Sequence, residues 1–196
     1  MAVRCQDRVG CVVSRGWFIT DGQAGDRTLD DQRKGLQPLY DNTLRGKTVL
    51  DIGCAEGLLA MDFVAAGATS AHGVEIVPRH IDVARRLNPH GMRCTFEVAD
   101  ANDYVPGTKF DVVTMLAVLH KLRNPTAACA RFADAARELC VIRLPPKHAP
   151  TIIDARSGNN PHHIGQVMEK RGFHLEQVTR GHFDEWCGYY VRKDPL

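Results

Sequence analysis

At 196 residues the chain has about the size of one domain, and 44% hydrophobic with 24% charged residues is an ordinary globular composition, which argues against an intrinsically disordered chain, a collagen-like repeat or a coiled-coil rod. Twenty-five Lys and Arg against 23 Asp and Glu leave a formal charge of +2, without the basic footprint of a protein held to nucleic acid by phosphates. Seven scattered cysteines with no C-x-x-C pair, no long apolar leader and no apolar run of about 18 residues predict reduced thiols in a cytoplasmic protein with no membrane span.

Residues 1–45 precede the first strong strand signal and are expected to form an N-terminal cap with a helix near Asp31 to Tyr40; residues 46–196 are expected to form a single domain. Gly46 to Gly53 (GKTVLDIG) is a short apolar run ending in glycine, the pattern of a strand buried on both faces of a parallel sheet. Leu58 to Ala66 carries Leu59, Phe63 and Ala66 on one helical face, and Gly67 stops it. A second strand, Ala71 to Val77, leads into a helix opened by Pro78 and ended by Asn88-Pro89. Cys94 to Val98 and Phe110 to Leu116 are the third and fourth strands. Asn124-Pro125 opens a helix bearing Ala128, Phe132 and Ala136, and Leu139 to Leu144 is the fifth strand.

Asn160-Pro161 opens the next helix, closed by Gly172, and two last strands, His174 to Thr179 and Trp186 to Arg192, are joined too closely for a crossover and must pair antiparallel. Trp186, Tyr189 and Tyr190 are expected to be half-buried on the last strand. The predicted fold is α/β: a Rossmann-like, doubly wound, mainly parallel seven-stranded sheet with a C-terminal antiparallel hairpin. In such sheets ligands lie beyond the carboxyl ends of the strands, where strand order reverses.

The first strand-to-helix turn, VLDIGCAEG, places Asp51 at the strand end and Gly53 and Gly57 where missing side chains let a ligand approach the backbone. A dinucleotide fingerprint G-x-G-x-x-G is not met, because Ala55 and Leu58 occupy the second and third glycine positions, which counts against a nicotinamide oxidoreductase. Asp51 and Glu56 would also repel a diphosphate, so the loop suits a ligand with a cationic end and no phosphate. Glu75, ending GVEIV, is placed to accept hydrogen bonds from two ribose hydroxyls, and Asp100 after TFEVAD emerges at the same edge, within reach of an adenine amino group. Each of these residues alone reads equally as a turn glycine or a solvated acid; their joint occurrence in this order favours a nucleoside site.

In this order and spacing, VLDIGCAEG, GVEIV, VADAND and FDVVTMLAVLHKL resemble the four motifs of the class I S-adenosylmethionine-dependent methyltransferases, over roughly Gly46 to Leu144. The resemblance implies S-adenosyl-L-methionine as cofactor. It implies that Asp51, Gly53, Cys54, Ala55 and Gly57 hold its methionine part, Glu75 its ribose, and Asp100 with Ala101 its adenine, with Ile76 and Leu116 also in the cofactor pocket. Ala55 departs from the family, which usually has glycine there. His120 falls where the family often places residues facing the methyl group, as a base or a positioning group for a hydroxyl, or equally as a loop cap.

The resemblance leaves the acceptor open between a small molecule, which the absence of an appended domain or basic stripe favours, and RNA such as tRNA; a nucleoside-binding protein without turnover is a further alternative. Neither an Asn/Asp-Pro-Pro-Tyr tetrad nor a Pro-Cys pair is present, which removes two kinds of nucleic-acid base methylation. Trp17, Phe18, Asp26 and Arg27 in the cap are candidate ligand contacts, although a covering arm burying the two aromatics reads better. Pro145 to Asn160 is a candidate lid, and His148, Arg156, His162 and His163 lack the spacing of a metal site.

Overall fold

The computed structural model describes residues 16–18, 25–145 and 160–194. Of the candidate lid Pro145 to Asn160, residues 146–159, with His148 and Arg156, lie outside the described residues, as do residues 1–15 and 19–24. Strands β1 (Gly16–Phe18) and β2 (Gly25–Arg27) form a small parallel pair. Then follow α1 (Leu29–Arg33), β3 (Thr48–Ile52), α2 (Leu58–Ala65), β4 (Ser70–Glu75), α3 (Pro78–Leu87), β5 (Cys94–Val98), β6 (Phe110–Leu116), α4 (Pro125–Ala135) and β7 (Ala136–Leu144). The chain closes with α5 (Pro161–Lys170), β8 (Phe173–Arg180) and β9 (Trp186–Arg192).

The main sheet has seven strands in the order β5-β4-β3-β6-β7-β9-β8, parallel except for β9, which runs antiparallel to β7 and β8. This is the predicted architecture. Alternate residues of the central strands point to opposite faces. Val49, Val112, Val141 and Tyr189 join one core with Phe63 and Ile81, whereas Leu50, Val113, Ile142 and Tyr190 join the other with Phe132, Ile164 and Met168. Both faces are therefore covered, which is why the strand runs read as continuously apolar.

Three expectations need correction. Tyr189 and Tyr190 are fully buried rather than half-buried, because β9 sits inside the sheet between β7 and β8. Ala136 belongs to β7, paired with Phe110, so α4 passes into the strand without a loop. The helix near Asp31 to Tyr40 is cut short: α1 starts at a Thr28–Asp31 capping box and ends at Arg33, since Gly35 takes φ +78°. A side chain at Gly35 would come within 2.8 Å of the Arg180 carbonyl oxygen, and its own carbonyl accepts hydrogen bonds from Thr179 Oγ1 and Tyr189 OH, each at 2.6 Å. The hairpin thus fixes a turn where sequence periodicity suggests a helix.

Residues of the expected cap share the core. Leu36, Leu39 and Leu44 are buried with α2 and α3, and Tyr40 OH donates to the Asp62 carboxylate at 2.5 Å, beside Arg33, which donates to the same group. Among the described residues no helix is long and apolar enough to cross a membrane.

Candidate ligand site

Strand order reverses between β3 and β6, and a cavity of about 310 Å³ opens there at the carboxyl ends of four parallel strands. β3 contributes Asp51, Gly53, Cys54 and Ala55; the end of β4 contributes Glu75, Ile76 and Val77. The turn after β5 adds Asp100, Ala101 and Asn102, and the exit of β6 adds Leu116, Ala117 and Val118. Nine of the ten residues expected to hold a cofactor thus border one cavity; the tenth, Gly57, does not line it.

Gly57 serves the loop's shape instead. It takes φ +73° at the N-terminus of α2, and a Cβ there would overlap the Phe96 ring and approach Ala84 Cβ at 2.9 Å. Gly53 is left-handed as well, at φ +77°, with room for a Cβ only 2.9 Å from Val118 Cγ2. Between them Ala55 adopts φ +49°, a conformation that costs an L-residue about 1 kcal/mol. The strain is held by hydrogen bonds: Gly53 and Cys54 both donate to the Val74 carbonyl, and Ala55 N–H donates to Glu75 Oε2 at 3.1 Å. Ala55 therefore keeps the loop in a shape where glycine would be the easier residue.

Asp51 is 2% exposed and accepts a 2.6 Å hydrogen bond from Thr114 Oγ1 on the neighbouring strand. Burial pushes its carboxyl up to about 6, with the nearby Glu75 charge acting in the same direction against the Thr114 bond and Arg143. A cationic group entering the cavity beside it would lower that pKa again and favour the ionised form. Glu75 accepts one backbone N–H on each oxygen, from Ala55 and from Val77 at 3.1 Å, so it braces the loop while keeping lone pairs for a ligand. Asp100 accepts from both the backbone N–H and the side-chain amide of Asn102 on Oδ1, at 2.8 and 2.7 Å.

His120 lies on a single turn, Leu119–Lys121, and does not border the cavity, although Val118, Lys121 and Leu122 on either side of it do. Its Nδ1 is buried without a hydrogen-bond partner among the described residues. Burial first, then the charges of Lys121 and Arg27, push its pKa down to about 4, so the ring is neutral at physiological pH.

Of the cap candidates, Arg27 borders the cavity together with Gln32. Trp17 and Phe18 lie on β1 and Asp26 on β2, and their side chains are outside what the structure describes. Arg27 Nη1 donates to Glu185 Oε1 at 3.1 Å, and the fully buried Arg143 donates to the carbonyls of Gln32 and Lys34 at 2.7 and 2.9 Å. The β7 strand end and the hairpin thereby hold Arg27, Gln32 and Lys34 in place, two of them at the cavity wall. His162 and His163 sit on the first turn of α5, away from the cavity lining, and among the described residues no cluster of His, Cys, Asp and Glu is arranged to hold a metal.

Among the residues of the site that the sequence did not single out are Thr114 and His80. Thr114 is the one hydroxyl in the apolar run VVTML, and that contrast is the available signal. His80 lines the cavity from the first turn of α3, hidden in the sequence by the apolar spacing of Ile81, Ala84 and Leu87 around it.

Residues 49–138 match the sequence model of a methyltransferase domain. Among curated proteins, the ubiquinone biosynthesis O-methyltransferase of Thiobacillus denitrificans is 40% identical over 95 residues, covering 45% of this chain and 40% of that protein. The chain thus spans less than half the length of that relative. Among solved structures, magnesium protoporphyrin IX methyltransferase from Synechocystis, with S-adenosylmethionine bound, superposes with a TM-score of 0.64 at 21% identity, over 81% of this chain and 76% of that one. A TehB-like S-adenosylmethionine-dependent methyltransferase from Corynebacterium glutamicum gives 0.62 at 22% identity, over 82% and 88%. At these identities the two structures share the fold.

Proposed function

We propose that this chain, whose residues 49–138 belong to the methyltransferase-domain family, is an S-adenosylmethionine-dependent methyltransferase acting on a small-molecule acceptor. The observation that carries the reading is the convergence of Asp51, Glu75 and Asp100, from the ends of three adjacent strands, on one cavity whose loop is built without a phosphate-binding fingerprint. Residues 46–196 are the methyltransferase domain in this reading, and residues 1–45 its cap, with Arg27 and Gln32 at the cavity wall.

When bound, S-adenosylmethionine supplies an electrophilic methyl carbon on a sulfonium. The chain's own residues do the rest by alignment. Asp51 would hold the amino group of the methionine part, and the Gly53–Ala55 backbone would run along it. Glu75 would accept from the ribose and Asp100 from the adenine amino group, with Ala101 beside the base and Ile76 and Leu116 lining the pocket. His120, neutral at pH 7, does not border the cavity; in this reading it supports the wall formed by its neighbours Val118, Lys121 and Leu122.

A small acceptor is supported by the roles of two proteins similar to this chain, which act in ubiquinone biosynthesis and on magnesium protoporphyrin IX, and by the charge of only +2. A cytoplasmic setting fits the five described cysteines, all buried and free. The test is transfer from tritiated S-adenosylmethionine to mixed phenolic and carboxylic small molecules, with tRNA in a parallel reaction. The reading expects label in the small-molecule fraction that disappears in Asp51→Ala. Label in RNA alone would overturn the acceptor class, and cofactor binding without transfer to either would point to a binding protein.

A further inference from the structure

The cavity lining divides by charge along the order of the sheet. Its acids, Asp51, Glu75 and Asp100, stand at or just after the ends of β3, β4 and β5, on one side of the point where strand order reverses. Its arginine and lysine, Arg27 and Lys121, belong to the other side. Lys121 follows β6, and Arg27 is tied to the far strands: its Nη1 donates to Glu185 Oε1 at 3.1 Å, just before β9. Glu185 is 3% exposed, and its Oε2 stands 3.7 Å from Nε of the fully buried Arg143 on β7. Arg143 also donates to Gln32 Oε1 at 3.3 Å, so two residues of the cavity wall, Arg27 and Gln32, are anchored to one buried ion pair. Lys121 is exposed on its turn, and its charge and that of Arg27 both act on the His120 ring, although one comes from the cap and the other from the exit of β6.

Cations on that side repel a sulfonium in the same cavity unless an anion lies among them. We infer that Arg27 and Lys121 form an anion site on the β6–β7 side of the cavity, which takes a carboxylate or phosphate group of the methyl acceptor. Guanidinium and ammonium groups bind such oxygens through charge-assisted hydrogen bonds, and a guanidinium already fixed by Glu185 loses little freedom in doing so. The acceptor class narrows accordingly, from small molecules in general to small acids and phosphorylated compounds. That the occupant is a methyl acceptor rests on the methyltransferase reading above; the cationic wall itself does not.

The experiment is titration of the full chain with sodium benzoate and, separately, inorganic phosphate at constant ionic strength, followed by amide ¹H–¹⁵N spectra with and without saturating S-adenosylhomocysteine. With S-adenosylhomocysteine bound, at least one of the two anions should shift the amides of residues 27, 32 and 119–122 saturably; which of them does so separates a carboxylate from a phosphate acceptor. The midpoint should rise roughly tenfold or more in Arg27→Gln and in Lys121→Gln, the size of one hydrogen bond to a charged group. Arg27→Lys should keep part of the binding, and Arg123→Gln, which removes an exposed cation outside the cavity lining, should leave it unchanged. Lys121, being exposed, supplies a variant that does not disturb the core. Absence of saturable shifts with both anions, or midpoints indifferent to Arg27 and Lys121, would overturn the inference. So would anion binding that S-adenosylhomocysteine abolishes together with a tenfold loss of S-adenosylhomocysteine affinity in both variants, because the cations would then serve the cofactor's own carboxylate. If the wild type ignores S-adenosylhomocysteine but binds the anions through Arg27 and Lys121, the methyltransferase reading and the acceptor fall while the anion site stands.

Discussion

Replacing Asp51 by Asn should make the ligand-free protein more stable and the ligand-bound protein less so. A carboxyl whose pKa rises from 3.8 to about 6 on folding costs about 3 kcal/mol of stability at pH 7. The amide removes that cost, keeps the acceptor for Thr114 Oγ1, and turns its new N–H groups toward the cavity that Asp51 borders. The sign with pH follows from a folded pKa above the unfolded one. The carboxyl's proton favours the folded state below pH 3.8, and that support is lost as pH rises through about 6. The advantage of Asp51→Asn is therefore full above pH 6 and fades toward pH 4. His120, pushed down to about 4, loses stability over the same window as the unfolded chain takes up its proton, but this is common to both proteins and cancels in the difference. Urea unfolding of both proteins at pH 7.5 and pH 4.5 measures it. A gain of about 2–3 kcal/mol at the higher pH, shrinking at the lower, is expected, and saturating S-adenosylhomocysteine should reverse the order by stabilising the wild type alone. A variant no more stable than the wild type at pH 7.5, or a gain independent of pH, would refute the reasoning.

Gly57→Ala should destabilise by about 3 kcal/mol or more, adding a left-handed residue to a clash with Phe96 and Ala84, whereas Gly46→Ala, also left-handed at φ +75° but in open space, should cost about 1 kcal/mol; the same urea assay compares them. Arg143→Met should cost about 3 kcal/mol, because it strips the partners of the Gln32 and Lys34 carbonyls and leaves Glu185 to Arg27 alone. Hydrogen exchange should show faster opening at residues 29–36 than in β3. Protection there equal to wild type would mean that the cap is held by Leu36 and Leu39 instead.

Most of the sheet was legible because its strands are buried on both faces and bounded by strong punctuation. Pro78, Pro125 and Pro161 open three helices at the positions the sequence suggests. The acids Asp51, Glu75 and Asp100 were legible because each ends a strand, and strand ends meet at one edge. What sequence could not show depends on contacts between distant segments. The break at Gly35 is imposed by β8 and β9, and the burial of Tyr189 and Tyr190 by the insertion of β9 between two strands. The partnership of His80 with Glu56 joins a loop and a helix whose local patterns say nothing of each other. His120 follows β6, where the resemblance suggests either a group facing the ligand or a loop cap, and the chain brings its neighbours Val118 and Lys121 to the cavity wall while His120 does not line it.

The cavity's assignment rests on the acids at its rim, and calorimetric titration with S-adenosylmethionine and S-adenosylhomocysteine tests it most directly. The wild type should bind both near micromolar, on the order of −8 kcal/mol, and Glu75→Ala and Asp100→Ala should each weaken binding by tenfold or more while Asp103→Ala, an exposed acid paired with Arg123 outside the cavity lining, leaves it unchanged. Wild-type protein that ignores both compounds, or binding indifferent to Glu75 and Asp100, would contradict the account.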